Sequence, residues 1–209
     1  MRIKQKLLNN VKNNFSIILF HGVIKEKKYL IRNYNNKHIL DNKFYAVLNY
    51  LKKKGYPLDV DEVVYTIKNK KKFPKNSFLI SFDDGFENNY KVAAPILDEL
   101  KIPAVFYFST DFIENNTMSW IDKIEYCFEK KLNKRSLQIN KFGKFDISTL
   151  EKKIKSLDLI RSKVKSNFKI NPEKLVKKIF KEFDMKLINN SNADIDKKIN
   201  WKQINLLNN

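Results

Sequence analysis

A chain of 209 residues has room for one ordinary domain, or for a domain carrying an insertion. Its 43% hydrophobic and 13% aromatic content is enough for a core, and its single cysteine, Cys127, excludes an internal disulfide and a cysteine metal cluster. The net charge of +19 suggests a polyanion or anionic surface as partner, yet the lysines are spread along the whole chain without the arginine, aromatic and glycine patterning of nucleic-acid modules. No specific nucleic-acid binding is therefore expected, and an AT-rich coding bias toward Lys, Asn, Ile and Phe accounts for the composition. No apolar run approaches transmembrane length. The run Phe15 to Phe20, after the basic segment Met1 to Lys12, is too short for a secretory signal and has no small-residue cleavage site, so a cytoplasmic location is expected.

In chain order, Ser16 to Phe20 predicts a strand that runs into a turn at His21-Gly22-Val23. His38 has no motif around it and reads as an ordinary surface or capping residue. Asp41 is expected to cap a helix reaching about Lys54, with Phe44, Val47, Leu48 and Leu51 on one face and Gly55 as its stop. Asp61 to Lys68 predicts a second helix, followed by a basic, solvated loop to Lys75.

Phe78-Leu79-Ile80-Ser81-Phe82 then reads as a buried strand leading into Asp83-Asp84-Gly85. Two carboxylates there are costly to bury unless paired or bound to a metal. Adjacent strand residues point to opposite sides, so the two acids are expected to hold different jobs, one binding a cation and one moving a proton. Asp-Asp-Gly is also compatible with a polar strand-to-loop turn and nothing more. Glu87 to Leu100 predicts a helix divided or kinked at Pro95, and Ala104 to Phe108 a third strand ending in Ser109-Thr110-Asp111. Strand, helix, strand is a βαβ unit, and such units collect their functional groups at the strand C-termini.

From Asn115 the character turns helical. Helices are predicted from Met118-Ser119-Trp120 to about Leu132, from Ser148 to about Lys165 with Leu150, Ile154, Leu157, Ile160 and Val164 on one face, and from Asn171-Pro172 with Leu175, Val176, Ile179, Phe180 and Phe183 as its stripe. A hairpin around Gly143 spans Leu137 to Phe145. Cys127 belongs to a buried helix face. Asn189 to Asp194 reads as a polar linker, and Ile199-Asn200-Trp201 opens a last helix.

Ser81-Phe82-Asp83-Asp84-Gly85-Phe86, Asn89, Ala94-Pro95-Ile96-Leu97 and Ile102 to Phe108 together resemble the first motif of the polysaccharide deacetylases, carbohydrate esterase family 4. The resemblance implies an α/β fold, a partial and distorted (β/α) barrel with a helical insertion after the third strand. Residues 1–114 would be the N-terminal part of that barrel, 115–198 the lysine-rich insertion and 199–209 the start of the next barrel segment. It also implies a metal-dependent carbohydrate N-deacetylase, a hydrolase of carbon–nitrogen bonds acting on a surface-glycan sugar. Asp83 would be the general base and Asp84 a ligand of a divalent metal, zinc; His21 would lie at the same rim and touch substrate or orient a neighbour, although a histidine bonded to a loop fits equally well. Thr110 and Asp111, by their place at the C-terminal end of the third strand, face the right way to assist at the site rim, and Asp111 can equally cap the next turn.

The family's second motif, a His, three residues and a His, has no counterpart here, where the histidines are His21 and His38. The resemblance covers roughly the first half of a family catalytic domain. It therefore implies a shortened chain, weakly active or inactive alone, whose metal site is completed by residues beyond it, with the missing C-terminal half as a separate chain. Two alternatives stay open: a non-catalytic binding or partner module derived from a deacetylase, and a basic polyanion binder.

Overall fold

The computed structural model describes residues 15–140 and 142–207; the basic segment Met1 to Lys12 lies outside them. The first half contains strands β1 (Phe15–Phe20), β2 (Gly22–Ile24) and β3 (His38–Leu40), helix α1 (Asp41–Lys54), β4 (Tyr56–Pro57), α2 (Val60–Lys68) and β5 (Ser77–Phe82). A π-helical turn (Asn89–Ala93), α3 (Ala94–Leu100), β6 (Ala104–Phe106) and α4 (Thr110–Asn115) follow. The second half holds α5 (Trp120–Lys130), the strands β7 (Ser136–Ile139) and β8 (Gly143–Asp146), and helices α6 (Leu150–Ser166), α7 (Pro172–Glu182) and α8 (Trp201–Leu207).

The sheet is parallel and centred on β5. β1 pairs along its whole length, from Phe15 opposite Ser77 to Phe20 opposite Phe82, while β4 meets its first two residues and β6 its last three. All six β5 residues are buried, as expected of a strand covered on both faces. Phe78, Ile80 and Phe82 pack against Phe44, Leu48 and Leu51 of α1 and Leu97 and Leu100 of α3. Leu79, on the opposite face, meets Leu58 and Val63. The arrangement is mixed α/β, with parallel strands joined through helices, as in a partial (β/α) fold. Among the described residues β1 and β6 have no ladder partner besides β5, and Ile17, Leu19 and Tyr107 are 61%, 50% and 56% exposed.

A second core joins α5, α6, α7 and the β7–β8 hairpin through Ile124, Phe128, Leu137, Leu157, Ile160, Val176, Ile179 and Phe180. Cys127 is fully buried there, and burial pushes its thiol up to about 12, so it is packing and not a nucleophile. Asn171 caps α7 through Lys174 N–H with Pro172 in the first turn, and the α7 stripe is buried as its spacing predicts. The two cores are tied by the segment 189–199, which forms antiparallel bridges at Thr117–Asn190 and Phe86–Lys198. Asn189 to Asp194 is thus more than a linker. Among the described residues no helix is long and apolar enough to cross a membrane.

Several expectations need correction. Asp41 is the first residue of α1 and not its cap: Leu40 holds the cap position and the Asp41 carboxylate accepts the neighbouring Asn42 N–H. Leu150 is 45% exposed, and the buried face of α6 takes Lys153 and Ser156, whose polar atoms bond to hairpin carbonyls. The third strand stops at Phe106, two residues early. His38, expected at the surface, is buried at 2% exposure.

Candidate active site

The C-terminal ends of β1 and β5 leave the sheet side by side, because the register puts Phe20 opposite Phe82 and Asp83 N–H donates to Phe20 C=O at 3.1 Å. His21 and Asp83 therefore emerge next to one another. The two acids do not diverge by strand alternation, as β5 ends at Phe82. They diverge because the backbone turns: Asp84 has φ 72° and Gly85 φ 62°, both left-handed. That conformation is uncommon for a residue with a side chain, and such outliers gather at functional sites. A side chain at Gly85 would also crowd Phe108 at 3.0 Å.

The turn is held from below by the 197–199 segment. Glu87 N–H donates to Lys197 C=O at 2.8 Å and Ile199 N–H to Gly85 C=O at 2.9 Å. Burial raises the Glu87 carboxyl, but hydrogen bonds from Lys197, Lys91 and Gln203 outweigh it and hold the group below its ordinary value. Glu87 is thus a charged strut under the turn.

Above the turn lies a cleft of about 860 Å³, lined by His21, Asp84, Asn33, Lys37, His38, Trp120 and Glu125 among others. Asp83 is half-buried at the turn and is not a lining residue. Thr110 and Asp111 are exposed in the first turn of α4 and do not line the cleft. The structure therefore gathers His21 and Asp84 in one cavity, keeps Asp83 beside them at the strand ends, and leaves Thr110 and Asp111 outside.

Behind the cleft is a buried polar cluster that the sequence did not announce. Asn88 ties three segments together: its Oδ1 accepts Val23 N–H at 3.2 Å, and its Nδ2 donates to Asp194 C=O at 2.9 Å and to His38 Nδ1 at 3.2 Å. The His38 proton then sits on Nε2, which has no partner among the described residues. Burial, with Lys37 next, holds this imidazole well below its ordinary value, so it is neutral. Asp122 forms a buried ion pair with Lys37 and accepts from Ser119 Oγ at 2.8 Å. Burial alone would raise Asp122; Lys37 and Lys198 pull it below the usual carboxylate range. Glu125 forms no ion pair among the described residues, and burial pushes it up to about 7. The Lys198 ammonium lies 3.5 Å from the Phe86 ring and 4.8 Å from Phe112, has no hydrogen-bond partner among the described residues, and burial brings it down to about 8. The local signal that could have found the cluster was Asn88, inside the motif run. His38, Asp122 and Lys198 sit in segments without motifs.

The described residues contain no group of three His, Cys, Asp or Glu side chains able to hold a metal ion. A catalytic zinc normally takes three protein ligands. Asp84 offers one carboxylate on the cleft lining, and the described residues alone do not fit a complete metal centre.

A profile described as polysaccharide deacetylase matches residues 70–203. Poly-beta-1,6-N-acetyl-D-glucosamine N-deacetylase of Staphylococcus aureus strain MSSA476 is 33% identical over 148 residues, 70% of this chain and 48% of that protein. The de-N-acetylase from Aggregatibacter actinomycetemcomitans superposes with a TM-score of 0.43 at 21% identity, covering 62% of this chain and 59% of that one. IcaB from Ammonifex degensii gives 0.43 at 16% identity, covering 93% and 97%. The chain belongs to the polysaccharide deacetylase family. It spans about half the length of the curated relatives it matches.

Proposed function

We propose that this chain carries the base-bearing part of a carbohydrate N-deacetylase. The observation behind the proposal is the left-handed Asp84-Gly85 turn, which sets two carboxylates at the strand ends beneath a cleft within the stretch that matches the family. In the reaction, water adds to the acetamide carbonyl carbon, the C–N bond breaks, and acetate and a sugar amine leave. Asp83 would take the proton from the attacking water at a carboxylate oxygen, and a proton would be delivered to the leaving nitrogen as the C–N bond breaks, so that the proton taken up is balanced by the one given. His21, at the cleft wall, would contact the sugar. Asp84 would serve as one ligand of a divalent metal, zinc, with the other donors supplied by a further segment of polypeptide, because the described residues hold no three-donor group. The poly-N-acetylglucosamine named for the relatives supplies the neutral reference substrate.

A second reading has a specific observation in its favour. With no three-donor metal group among the described residues, a glycan-binding module derived from a deacetylase also fits. Acetate release from β-1,6-linked N-acetylglucosamine oligomers, with zinc added, separates the two. The catalytic reading expects slow, zinc-dependent release that Asp83→Asn abolishes. Oligomer binding with no release at any zinc concentration favours the module. Undiminished release by Asp83→Asn removes the role assigned to that residue.

A further inference from the structure

The cleft carries a charge pattern that the deacetylase reading does not by itself require. Lys27 from the β2–β3 connection, Lys43 from α1 and Lys165 from α6 line it from separate elements, and none forms an ion pair among the described residues. Arg161 lines it one helical turn before Lys165. The acids on the lining are Asp84 and Glu125, and burial keeps Glu125 largely protonated at mildly acidic pH. Half-buried Trp120 offers an apolar face on which a sugar ring can lie.

From this lining we propose that the cleft takes an N-acetylated glycan bearing an anionic group, carboxylate or phosphate, within a residue or two of the acetamide, with Lys27, Lys43 and Lys165 as the residues that select it. The proposal rests on the deacetylase reading of the same cleft. Physical chemistry favours it over a neutral homopolymer. Each acetyl group removed from such a polymer leaves an ammonium, so the product would be repelled more strongly by a cationic rim with every turnover. A neighbouring anion offsets that new charge. It would also be drawn into the cleft by the unpaired lysines, with a dependence on salt.

The test is binding by the whole chain to chitotetraose (neutral), a hyaluronan tetrasaccharide (N-acetylglucosamine alternating with a carboxylate sugar) and UDP-N-acetylglucosamine (phosphate). At low salt the anionic probes should bind about tenfold more tightly than chitotetraose, the sum of several modest surface charge contacts. Lys27→Glu/Lys43→Glu/Lys165→Glu should erase that preference and leave chitotetraose binding in place. Lys53→Glu/Lys169→Glu/Lys178→Glu, with the same charge change away from the cleft, should keep it. All six lysines are exposed, and melting temperatures check that both variants are folded. Whichever anionic probe is preferred identifies the group. Equal affinity for charged and neutral probes, or equal losses in the two triple variants, overturns the proposal and leaves the deacetylase reading intact. Failure of all three probes to bind overturns the proposal, while acetate release from β-1,6-linked N-acetylglucosamine oligomers decides the deacetylase reading separately.

Discussion

The His38 ring occupies the space that any side chain at Gly22 would need: a Cβ there would lie 2.1 Å from His38 Nδ1. It would also lie 2.6 Å from Asn88 Oδ1, so the glycine after His21 is where three segments close on one another. Gly22→Ala should therefore cost about 2–3 kcal/mol, the scale of overpacking a filled core. Removing the obstructing ring in Gly22→Ala/His38→Ala should recover part of that loss, a non-additivity typical of residues in contact. Urea unfolding of the two singles and the double measures it.

Asp84 holds a left-handed backbone at φ 72°, which its side chain disfavours. Asp84→Asn should leave stability unchanged, since Asn tolerates this region, whereas Asp84→Val should lose about 1–2 kcal/mol. Asp84→Gly should be at least as stable as the parent. Each variant removes the carboxylate, so stability and function should part company: zinc-dependent acetate release should vanish in all three whatever their unfolding midpoints. Loss of stability in Asp84→Gly would mean that the carboxylate, and not the conformation, holds the turn.

Much of this architecture is written locally in the sequence. Asn171-Pro172 announces a helix start because capping and proline preference are local, and Gly143 marks a hairpin for the same reason. Asp83-Asp84-Gly85 stands out because acids after a buried strand are chemically conspicuous. Strand alternation alone does not place them, because β5 ends at Phe82 and a left-handed turn follows. His38 gives no local sign of its role, because that role comes from Gly22 and Asn88, far away in sequence and close only in the fold. Lys198 gives none for a related reason: a lysine in a lysine-rich chain carries no mark of being buried between two aromatic rings. Thr110 and Asp111 follow a strand end, as expected, but helix α4 begins there and exposes them.

Glu125 should make stability fall with rising pH over a defined window. Its carboxyl has an ordinary value of 4.5 and stands at about 7 in the folded chain. Between those values the unfolded chain has released the proton and the folded chain retains it, so the folded state binds more protons and loses stability as pH rises. The full effect is on the order of 3 kcal/mol, developed above pH 7 and absent below about 4.5. His38 acts in the opposite sense nearby, because its lowered value makes stability fall as pH drops below its ordinary range. The test is thus a difference: Glu125→Gln should match the parent at pH 4 and exceed it at pH 8. A constant offset between the two curves would show that Glu125 does not titrate in this window.

Arg32 and Asp196 form an ion pair with side chains 5% and 1% exposed, and it anchors the segment that braces the Asp83-Asp84 turn. Removing one partner leaves the other charge buried alone, so Asp196→Ala should cost about 3–5 kcal/mol. Replacing both with apolar residues, Arg32→Met/Asp196→Leu, should recover most of it, because the paired charges themselves repay little of their desolvation. The consequence for the site lies two and three residues further along, where Lys198 packs on Phe86 and Ile199 N–H holds Gly85 C=O at 2.9 Å. Asp196→Ala should accordingly speed amide exchange at Ile199 and Glu87 more than at Ile80 in the centre of β5. Exchange that rises equally at all three would mean that the pair stabilises the whole fold and does not act through the turn.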